Sequence, residues 1–294
     1  MVSGKSTHTG TFHKIPKFFD AIKFQESIFA LPFAYTGMIL AGKDFPEWAV
    51  VIWITIAMVS ARTFGMIANR VIDRKIDSLN PRTRLRHLPQ GVLSVSDLVF
   101  PGLISLLVFV ICAWQLNFLA LLLSPVALLY LVFYPYTKRF TWTSNLLLGW
   151  ALAIAPSAAW IGVTGDYGLE PFLLSLAVAL WAGSFDILYH TQDVEFQRGN
   201  NLNSVAAKFG VPAAFKTAKT LDIITVITLA YLGMLMSLHF IYFVGCLVVS
   251  LLLVYKYKMV KPDDLSKLGM AFMRINAFVS TSILIATIFA IVIG

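Results

Sequence analysis

Residues 47–77 read EWAVVIWITIAMVSARTFGMIANRVIDRKID, an apolar run that ends in a highly charged segment. A helix needs about 20 mainly apolar residues to cross the hydrocarbon core of a bilayer. The run at 47–69 has that length, and Arg62 is the one charged side chain in its interior. The stretch therefore predicts a transmembrane helix that continues into a polar segment on one side of the membrane.

The rest of the chain has the same apolar character. Apolar residues make up 58% of the 294 residues, charged residues only 13%, and the mean hydropathy is +0.78. A soluble globular domain carries about 25% charged residues, so this composition excludes that class. We predict an all-α integral membrane protein with about nine transmembrane helices, in a single domain over residues 1–294. The other eight predicted spans are 22–42, 97–115, 117–135, 145–163, 171–190, 214–236, 238–256 and 269–293.

The distribution of basic residues predicts the orientation of the chain. The net charge is 23 − 15 = +8, and cytoplasmic loops of membrane proteins attract Lys and Arg. With a cytoplasmic N-terminus, 20 of the 23 Lys and Arg residues fall in inner segments, among them Lys256 before the last span. We therefore attribute the positive charge to membrane orientation, and expect the lipid bilayer rather than nucleic acid as a partner.

Three polar segments lie on the predicted inner side. Residues 1–17 have the composition of a loose leader, whereas 70–96 and 190–212 are too long and too patterned for simple connections. Loops of such length in a compact protein are usually functional. We therefore expect the functional site on the cytoplasmic face.

The first polar stripe follows the second span. Asn69, Asp73 and Asp77 are spaced four residues apart, which places three oxygen-bearing side chains on one helical face. Such a group suits Mg²⁺, which is usually held by a few carboxylates together with phosphate oxygens of a substrate. The alternative is a solvated helix end whose charges form i, i+4 pairs.

The second polar stripe ends the sixth span. Asp186, His190, Asp193 and Gln197 share one helical face. Asp186 lies within the span, where ionisable groups are usually functional. We interpret His190 as a hydrogen-bonded polar residue, because no second histidine lies at the spacing of a metal site. Two stripes at the same membrane level predict two halves of one site for a metal and a diphosphate.

Several basic residues lie near the stripes in the sequence. Arg70 directly follows Asn69, and Lys138 and Arg139 end the fourth span, where they either bind phosphate or enforce topology. Arg62 lies within a span and needs a partner, for which a substrate carboxylate and Asp186 are the two alternatives. A secondary transporter of an anionic substrate is a rival from another class, since transporters also carry charge inside the membrane.

Several motifs in these segments have a common order and spacing over nearly the whole chain. They are Asn69-Arg70-x-x-Asp73-Arg74-Lys75-Ile76-Asp77, Asn80-Pro81-Arg82-Thr83, Arg86-His87-Leu88-Pro89-x-Gly91, Tyr134-Pro135-x-x-Lys138-Arg139, Asp186-x-x-Tyr189, and Gln192-Asp193-Val194-Glu195-Phe196 before Asn203-Ser204. In this order and spacing the chain resembles the UbiA superfamily of intramembrane aromatic prenyltransferases. The similarity is greatest to bacterial 4-hydroxybenzoate polyprenyltransferases and to their relatives in the futalosine route to menaquinone.

The resemblance implies a helix bundle around a central cavity that the two inner loops cap. It places the chain in the bacterial inner membrane, with the active site facing the cytoplasm. It also implies Mg²⁺-dependent transfer of a polyprenyl group from an isoprenoid diphosphate to a ring carbon of an aromatic acid such as 4-hydroxybenzoate, in ubiquinone biosynthesis. The alternative acceptor is a naphthoate in the futalosine route to menaquinone.

The same resemblance gives roles to individual residues. An aspartate usually stands at the position of Gln197, whose amide oxygen can still coordinate Mg²⁺ with less charge. The implied metal ligands are Asn69, Asp73, Asp77, Asp193 and Gln197. The implied catalytic residues are Asp73, Asp77, Asp193, Lys138 and Asp186, the last a candidate to deprotonate the acceptor. Diphosphate is expected at Arg70, Lys138 and Arg139, and the aromatic substrate at Arg62 and Tyr134.

Overall fold

The computed structural model describes residues 14–294, apart from the side chains of residues 26–30 and 272. Its long elements are all helices. In chain order they are α1 (Lys14–Ala21), α2 (Ser27–Gly42), α3 (Trp48–Leu79), α4 (Val95–Leu116), α5 (Phe118–Phe133), α6 (Ser144–Thr164), α7 (Leu169–His190), α8 (Val194–Gly199), α9 (Val205–Phe209), α10 (Val211–Leu235), α11 (Phe240–Met259), α12 (Leu268–Met270) and α13 (Asn276–Ile293). Tight 3₁₀ turns lie at Phe24–Glu26, Tyr134–Arg139 and Thr191–Asp193, and a π-helical turn at Ala271–Ile275 joins α12 to α13.

The described helices include eight stretches that are long and apolar enough to cross a membrane. They are Trp48–Leu79, Val95–Leu116, Phe118–Arg139, Ser144–Thr164, Leu169–Gly199, Val211–Leu235, Phe240–Met259 and Leu268–Ile293. The apolar part of α2, Leu31–Gly42, is shorter than these. The predicted all-α membrane fold is therefore confirmed, whereas the count of nine spans and the cytoplasmic N-terminus stay predictions.

The first predicted span, 22–42, is interrupted near its start. Lys23 has a left-handed backbone with a φ of 51°. An L-residue with a side chain rarely adopts this conformation, which ends the helical hydrogen-bond pattern. The helix α2 therefore starts only at Ser27. The predicted leader 1–17 overlaps α1 from Lys14 onward, and its residues 1–13 lie outside the described part of the chain.

The helix α3 is longer than the predicted span and carries the first polar stripe. It runs for 32 residues to Leu79, so the predicted loop 70–96 begins as a helix. Asp73 and Asp77 are buried on it, because each contacts basic side chains from other elements. The stripe is therefore part of a rigid element rather than of a loop.

The central helix of the bundle is α7, which packs against α6 and α10. Its large side chains, among them Trp181 and Ile187, are fully buried. The helices α6 and α7 lie close together at Gly149, where a Cβ atom would overlap the carbonyl oxygen of Ala179. Small residues permit such backbone approach between membrane helices. This packing fixes the inner end of α7, from which the second polar stripe continues into α8.

The distribution of side chains is that of a protein surrounded by lipid. The outer surfaces of α4, α5, α10 and α11 expose large apolar side chains, such as Phe100, Leu107, Trp114, Leu129, Ile227 and Leu251. Charged side chains such as Asp73, Asp186 and Asp222 lie inside the bundle instead. Polar groups in a bilayer must find partners within the protein, which favours this arrangement. The chain is a multi-pass membrane protein.

Candidate active site

One polar cavity brings both stripes together. Its volume is about 240 Å³, and it lies between the inner part of α3 and the inner end of α7 with its continuation into α8. Asp186 and His190 contribute to its lining. So does each predicted metal ligand, namely Asn69, Asp73, Asp77, Asp193 and Gln197. The two stripes thus meet in space, as their placement in the sequence predicts.

Asp73 is the most buried stripe carboxylate, with only 2% of its side chain exposed. Lys138 Nζ lies 2.5 Å from its Oδ2, and Arg139 Nη2 lies 3.2 Å from its Oδ1. Both basic residues lie on the 3₁₀ turn after α5, and Arg139 also donates to the carbonyl oxygen of Pro135 at 3.0 Å. The turn therefore holds two cations against the centre of the first stripe.

Two arginines of the α3–α4 loop contact the other stripe carboxylates. Arg86 Nη1 donates to Asp77 Oδ2 at 2.6 Å. Arg82 binds the carboxylate of Asp193 through two nitrogen atoms, with Nε 3.0 Å from Oδ1 and Nη2 2.5 Å from Oδ2. The third nitrogen, Nη1, donates a hydrogen bond to the Tyr189 hydroxyl at 3.1 Å. Burial alone would lower the pKa of Arg82, but the hydrogen bond and the charge of Asp193 outweigh it and raise that pKa. Arg82 therefore stays charged and ties the α3–α4 loop to the start of α8.

Asp186 is held from α6 and from its own helix. Asn145 Nδ2 donates to Asp186 Oδ2 at 2.8 Å, and His190 Nδ1 lies 3.2 Å from the same oxygen. Asn145 Oδ1 accepts a hydrogen bond from the backbone N–H of Val205 at 3.1 Å, so both ends of this amide are engaged. His190 is a hydrogen-bonded polar residue here, as the sequence analysis expects.

Arg62, Arg70 and Tyr134 also line the polar cavity, whereas Arg139, which is predicted to bind the diphosphate, is not among its lining residues. Arg70 Nε donates to the carbonyl oxygen of Ala21 at 2.9 Å, which ties α3 to the end of α1. Arg62 and Tyr134 lie on the wall that the polar cavity shares with a second cavity. Asp186, one of the two partners considered for Arg62, lines the polar cavity as well.

The second cavity is apolar and has a volume of about 620 Å³. Arg62, Met66, Tyr134 and Leu152 line both cavities, so the two spaces adjoin. The helices α3, α4, α5 and α6 supply most of the apolar walls. Ligand sites typically combine such an apolar space with a few polar groups that fix orientation. The pair of cavities suits an amphiphile with an anionic head and a long apolar chain.

The oxygen donors of the polar cavity suit Mg²⁺, which prefers carboxylate, carbonyl and water ligands. Within residues 14–294, no three His, Cys, Asp or Glu side chains converge closely enough to hold a metal by themselves. Asp73, Asp77 and Asp193 are each paired with a basic side chain instead. These pairs occupy carboxylate lone pairs that could otherwise bind Mg²⁺, and a phosphate anion that binds the basic side chains would make those lone pairs available.

Four residues of the site have no role that the sequence predicts: Arg82, Arg86, Asn145 and Tyr189. The two arginines belong to the quoted motifs, but their carboxylate partners depend on the path of a loop. Asn145 lies at the start of an apolar span, and a polar residue at such a position indicates hydrogen bonding inside a helix bundle. That signal identifies Asn145 as a candidate without identifying its partner.

Comparison with known proteins gives relatives over most of the chain. The model of the UbiA prenyltransferase family matches residues 30–280. Over 243 residues the chain is 30% identical to a 4-hydroxybenzoate octaprenyltransferase of Francisella tularensis subsp. novicida, and the match covers 83% of each protein. Over 258 residues it is 29% identical to a 4-hydroxybenzoate octaprenyltransferase of Aliivibrio fischeri, which covers 85% of this chain and 86% of the relative.

Solved structures have the same architecture. The apo structure of a UbiA homolog from Aeropyrum pernix superposes with a TM-score of 0.78 at 27% identity, covering 92% of this chain and 98% of that one. A UbiA homolog from Archaeoglobus fulgidus bound to DMAPP and Mg²⁺ shares the fold, with a TM-score of 0.65 at 20% identity and coverage of 91% and 99%. Because the family match extends over residues 30–280, the chain belongs to the UbiA prenyltransferase family and is an enzyme that transfers prenyl groups.

Proposed function

We propose that this enzyme transfers a polyprenyl group from an isoprenoid diphosphate to a ring carbon of an aromatic acid such as 4-hydroxybenzoate. The reaction would depend on Mg²⁺ and serve ubiquinone biosynthesis at the cytoplasmic face of a bacterial inner membrane. The observation that carries this proposal is the junction of the charged cavity with the apolar one at Arg62, Met66, Tyr134 and Leu152. A prenyl diphosphate has the same two parts, a charged head and an apolar chain.

The basic side chains around the polar cavity would bind the diphosphate. Lys138 and Arg139 lie against Asp73, and Arg82 and Arg86 come from the α3–α4 loop. Arginine binds phosphate oxygens in a fork, whereas lysine provides a point charge. Arg70, which also lines the cavity, adds a further positive charge. Together these side chains would stabilise the negative charge that grows on the leaving diphosphate.

The stripe residues Asn69, Asp73, Asp77 and Asp193 would hold Mg²⁺ through their side-chain oxygens. When bound, Mg²⁺ supplies Lewis-acid chemistry, which draws negative charge from the leaving phosphate oxygens. The allylic C–O bond breaks with its electron pair leaving on the diphosphate. The apolar wall around Met66 and Leu152 keeps water from the resulting allylic cation, so that the ring carbon of the acceptor attacks instead.

The acceptor would lie at the junction of the cavities. Arg62, which lines both cavities, would bind its carboxylate, and Tyr134 would present an aromatic wall to its ring. The ring carbon forms a bond to the prenyl C1 atom and then loses its proton. Asp186, oriented by Asn145 and His190, is the carboxylate placed to help deprotonate the acceptor.

A naphthoate acceptor of the futalosine menaquinone route is the second candidate, because its fused rings present the same carboxylate and aromatic face. Two observations favour 4-hydroxybenzoate. The relatives at 30% and 29% identity are both 4-hydroxybenzoate octaprenyltransferases. The match to each relative covers more than four-fifths of this chain, at 83% and 85%. The family also favours prenyl transfer over the transporter considered from the sequence.

A reconstituted assay tests the proposal. The purified protein in lipid nanodiscs receives Mg²⁺, a labelled polyprenyl diphosphate, and either 4-hydroxybenzoate or a 1,4-dihydroxy-2-naphthoate-type acceptor. We expect release of diphosphate and a prenylated product with 4-hydroxybenzoate, both lost on chelation of the metal. If a prenylated product formed only with the naphthoate, the acceptor of this enzyme would be a naphthoate rather than 4-hydroxybenzoate. Binding of the donor without any product from either acid would overturn both acceptors.

A further inference from the structure

Gln197 is the last residue of the second polar stripe. It lies on α8, one helical turn after Asp193, and lines the polar cavity with only 6% of its surface exposed. The resemblance to the UbiA superfamily implies that Gln197 is a metal ligand, which requires its side-chain oxygen to face the cavity. In the structure, that oxygen is already engaged, because Gln197 Oε1 accepts a hydrogen bond from Ser204 Oγ at 2.5 Å.

The direction of this hydrogen bond follows from the second contact of Ser204. Ser204 is the N-cap of α9, and its Oγ accepts from the backbone N–H of Ala207 at 3.0 Å. The hydroxyl proton is therefore available for Gln197 Oε1. The opposite amide orientation would place two N–H donors on one hydroxyl oxygen and leave the buried hydroxyl proton without this acceptor. Hydrogen-bond satisfaction thus directs the amide oxygen of Gln197 towards Ser204.

Ser204 is not free to turn away from Gln197. The backbone N–H of Asn203 donates to the carbonyl oxygen of Lys138 at 2.7 Å, and the backbone N–H of Val205 donates to Asn145 Oδ1 at 3.1 Å. Only 1% of Ser204 is exposed. The segment that carries the hydroxyl is therefore attached on both sides to residues that line or support the polar cavity.

With its oxygen directed to Ser204, Gln197 has the N–H groups of its amide left for the cavity. Within residues 14–294, this nitrogen makes no hydrogen bond to another protein group. An N–H group binds anions and repels cations, and phosphate oxygens are strong acceptors. Gln197 lines the same cavity as Lys138 and Arg82.

We propose that Gln197 donates a hydrogen bond to a phosphoryl oxygen of the diphosphate and is not a ligand of the divalent cation. Ser204 acts as the positioning residue that fixes this orientation. The inference rests on the proposed function, because it requires a diphosphate in the polar cavity. It assigns the metal to the carboxylates Asp73, Asp77 and Asp193 with Asn69, and assigns Gln197 to substrate recognition.

Two binding measurements on the full-length protein in nanodiscs separate the two roles of Gln197. The first is the affinity for Mn²⁺ without any phosphate, followed by electron paramagnetic resonance. The second is the affinity for inorganic pyrophosphate at saturating Mg²⁺, followed by calorimetry. Neither measurement requires turnover. The matched control is Gln192→Met, since Gln192 is an exposed glutamine on the same segment whose Nε2 donates to the Tyr189 carbonyl.

We expect Gln197→Met to weaken pyrophosphate binding about tenfold, the loss of one hydrogen bond to a charged acceptor, with the Mn²⁺ affinity unchanged. Gln197→Glu keeps an oxygen for Ser204 and adds a negative charge, so it should weaken pyrophosphate binding further and strengthen Mn²⁺ binding. This variant decides the question if Gln197→Met does not fold. Gln192→Met should leave both affinities at their wild-type values.

The opposite pattern would overturn the inference. If Gln197→Met weakened Mn²⁺ binding and left pyrophosphate binding intact, Gln197 would be a metal ligand. Stronger pyrophosphate binding by Gln197→Glu would also contradict it. Wild-type protein that bound no pyrophosphate would remove the proposed function itself, and this inference with it. Wild-type pyrophosphate binding that Gln197→Met did not change would remove the inference alone.

Discussion

In the part of the chain that the structure describes, buried carboxylates are paired with basic side chains both at the polar cavity and between α10 and α11. Asp73, Asp77 and Asp193 face the polar cavity between α3 and α8. Asp222 on α10 instead pairs with Lys256 on α11 at 2.6 Å, and their side chains are 4% and 3% exposed. In the described part of the chain, no residue of α10 or α11 lines either cavity.

The Asp222–Lys256 pair connects three helices. The Tyr257 hydroxyl donates to Asp222 Oδ2 at 2.5 Å, and Lys256 Nζ donates to Ser184 Oγ on α7 at 3.2 Å. Asp222 Oδ1 is buried without a hydrogen-bond partner. These contacts attach α10 and α11 to the helix that carries Asp186. The pair is therefore placed to hold the bundle together rather than to meet a ligand.

This difference indicates that the surroundings of an ion pair decide whether a ligand can replace one of its two partners. At the polar cavity, an arriving diphosphate can take the basic side chains while a divalent cation takes the carboxylates. Asp222 and Lys256 line neither of the two cavities and are almost fully buried, so a lost partner leaves a buried charge uncompensated. We therefore expect substitutions in the first set to affect activity, and substitutions in the second to affect stability.

The largest expected effect is that of Asp73→Asn on activity. The substitution keeps the shape of the side chain but removes the most buried charge among the proposed metal ligands. We expect prenyl transfer to fall about a thousandfold, which corresponds to about 4 kcal/mol of transition-state stabilisation. The free energy of unfolding should change by less than about 1 kcal/mol, because the side chains of Lys138 and Arg139 are partly exposed, at 25% and 32%.

The control for Asp73→Asn is Glu195→Gln, which neutralises an exposed carboxylate on α8 outside the polar cavity. This control should retain wild-type turnover. Near-normal activity of Asp73→Asn would contradict the metal assignment. Unfolding of that variant would show that the cavity pairs are structural, and the contrast between the two sets would disappear.

The next largest effect is expected on stability, from Lys256→Met. The substitution leaves Asp222 buried without its cation, and breaking one partner of a buried pair costs about 3 kcal/mol or more. A titration with a denaturing detergent that follows unfolding measures this loss of stability. Lys258→Met is the control, because Lys258 is exposed two residues further along α11 and should change stability little.

The double variant Asp222→Asn/Lys256→Met sharpens the same prediction. It removes both charges but keeps an oxygen for the Tyr257 hydroxyl, so it should recover part of the lost stability. Protein that refolds in this form should transfer prenyl groups, since no cavity residue has changed. A double variant less stable than Lys256→Met would mean that uncompensated charge is not the cause of the loss.

The periodicity of the sequence was enough to identify the stripes. Asn69, Asp73 and Asp77 lie on one continuous helix, where 3.6 residues per turn fix a common face. Pairing across the bundle was not predictable in the same way. Lys138 meets Asp73 because a 3₁₀ turn after α5 packs against α3, and nothing in the local sequence specifies that contact.

Hydropathy leaves out what decides the place of two basic residues. Lys256 ends the predicted span 238–256 and counts among the inner basic residues, and in the structure it is buried on α11 because Asp222 lies opposite on α10. Lys23 lies in the predicted span 22–42 and also counts among the inner basic residues, and its backbone φ of 51° separates α1 from α2. In both cases a tertiary contact or a backbone conformation decides the structural role of the residue. A hydropathy average over the sequence contains neither kind of information.

The smallest expected effect tests whether the cavity pairs are truly exchangeable. Arg82→Lys replaces the fork on Asp193 by a single point charge and loses the contact with Tyr189. Asp193 keeps access to the cavity, so the free energy of unfolding should fall by only about 1 kcal/mol. The control is Arg84→Lys, an exposed arginine of the same loop.

Binding should respond more than stability in this variant, because the lysine offers the diphosphate fewer donors. We expect the KM for the prenyl diphosphate to rise several-fold in Arg82→Lys, with kcat less affected. A loss of stability as large as that of Lys256→Met would show that Arg82 and Asp193 form a structural pair. The loop between α3 and α4 would then be a fixed part of the bundle, and a diphosphate would have to bind without displacing Arg82 from Asp193.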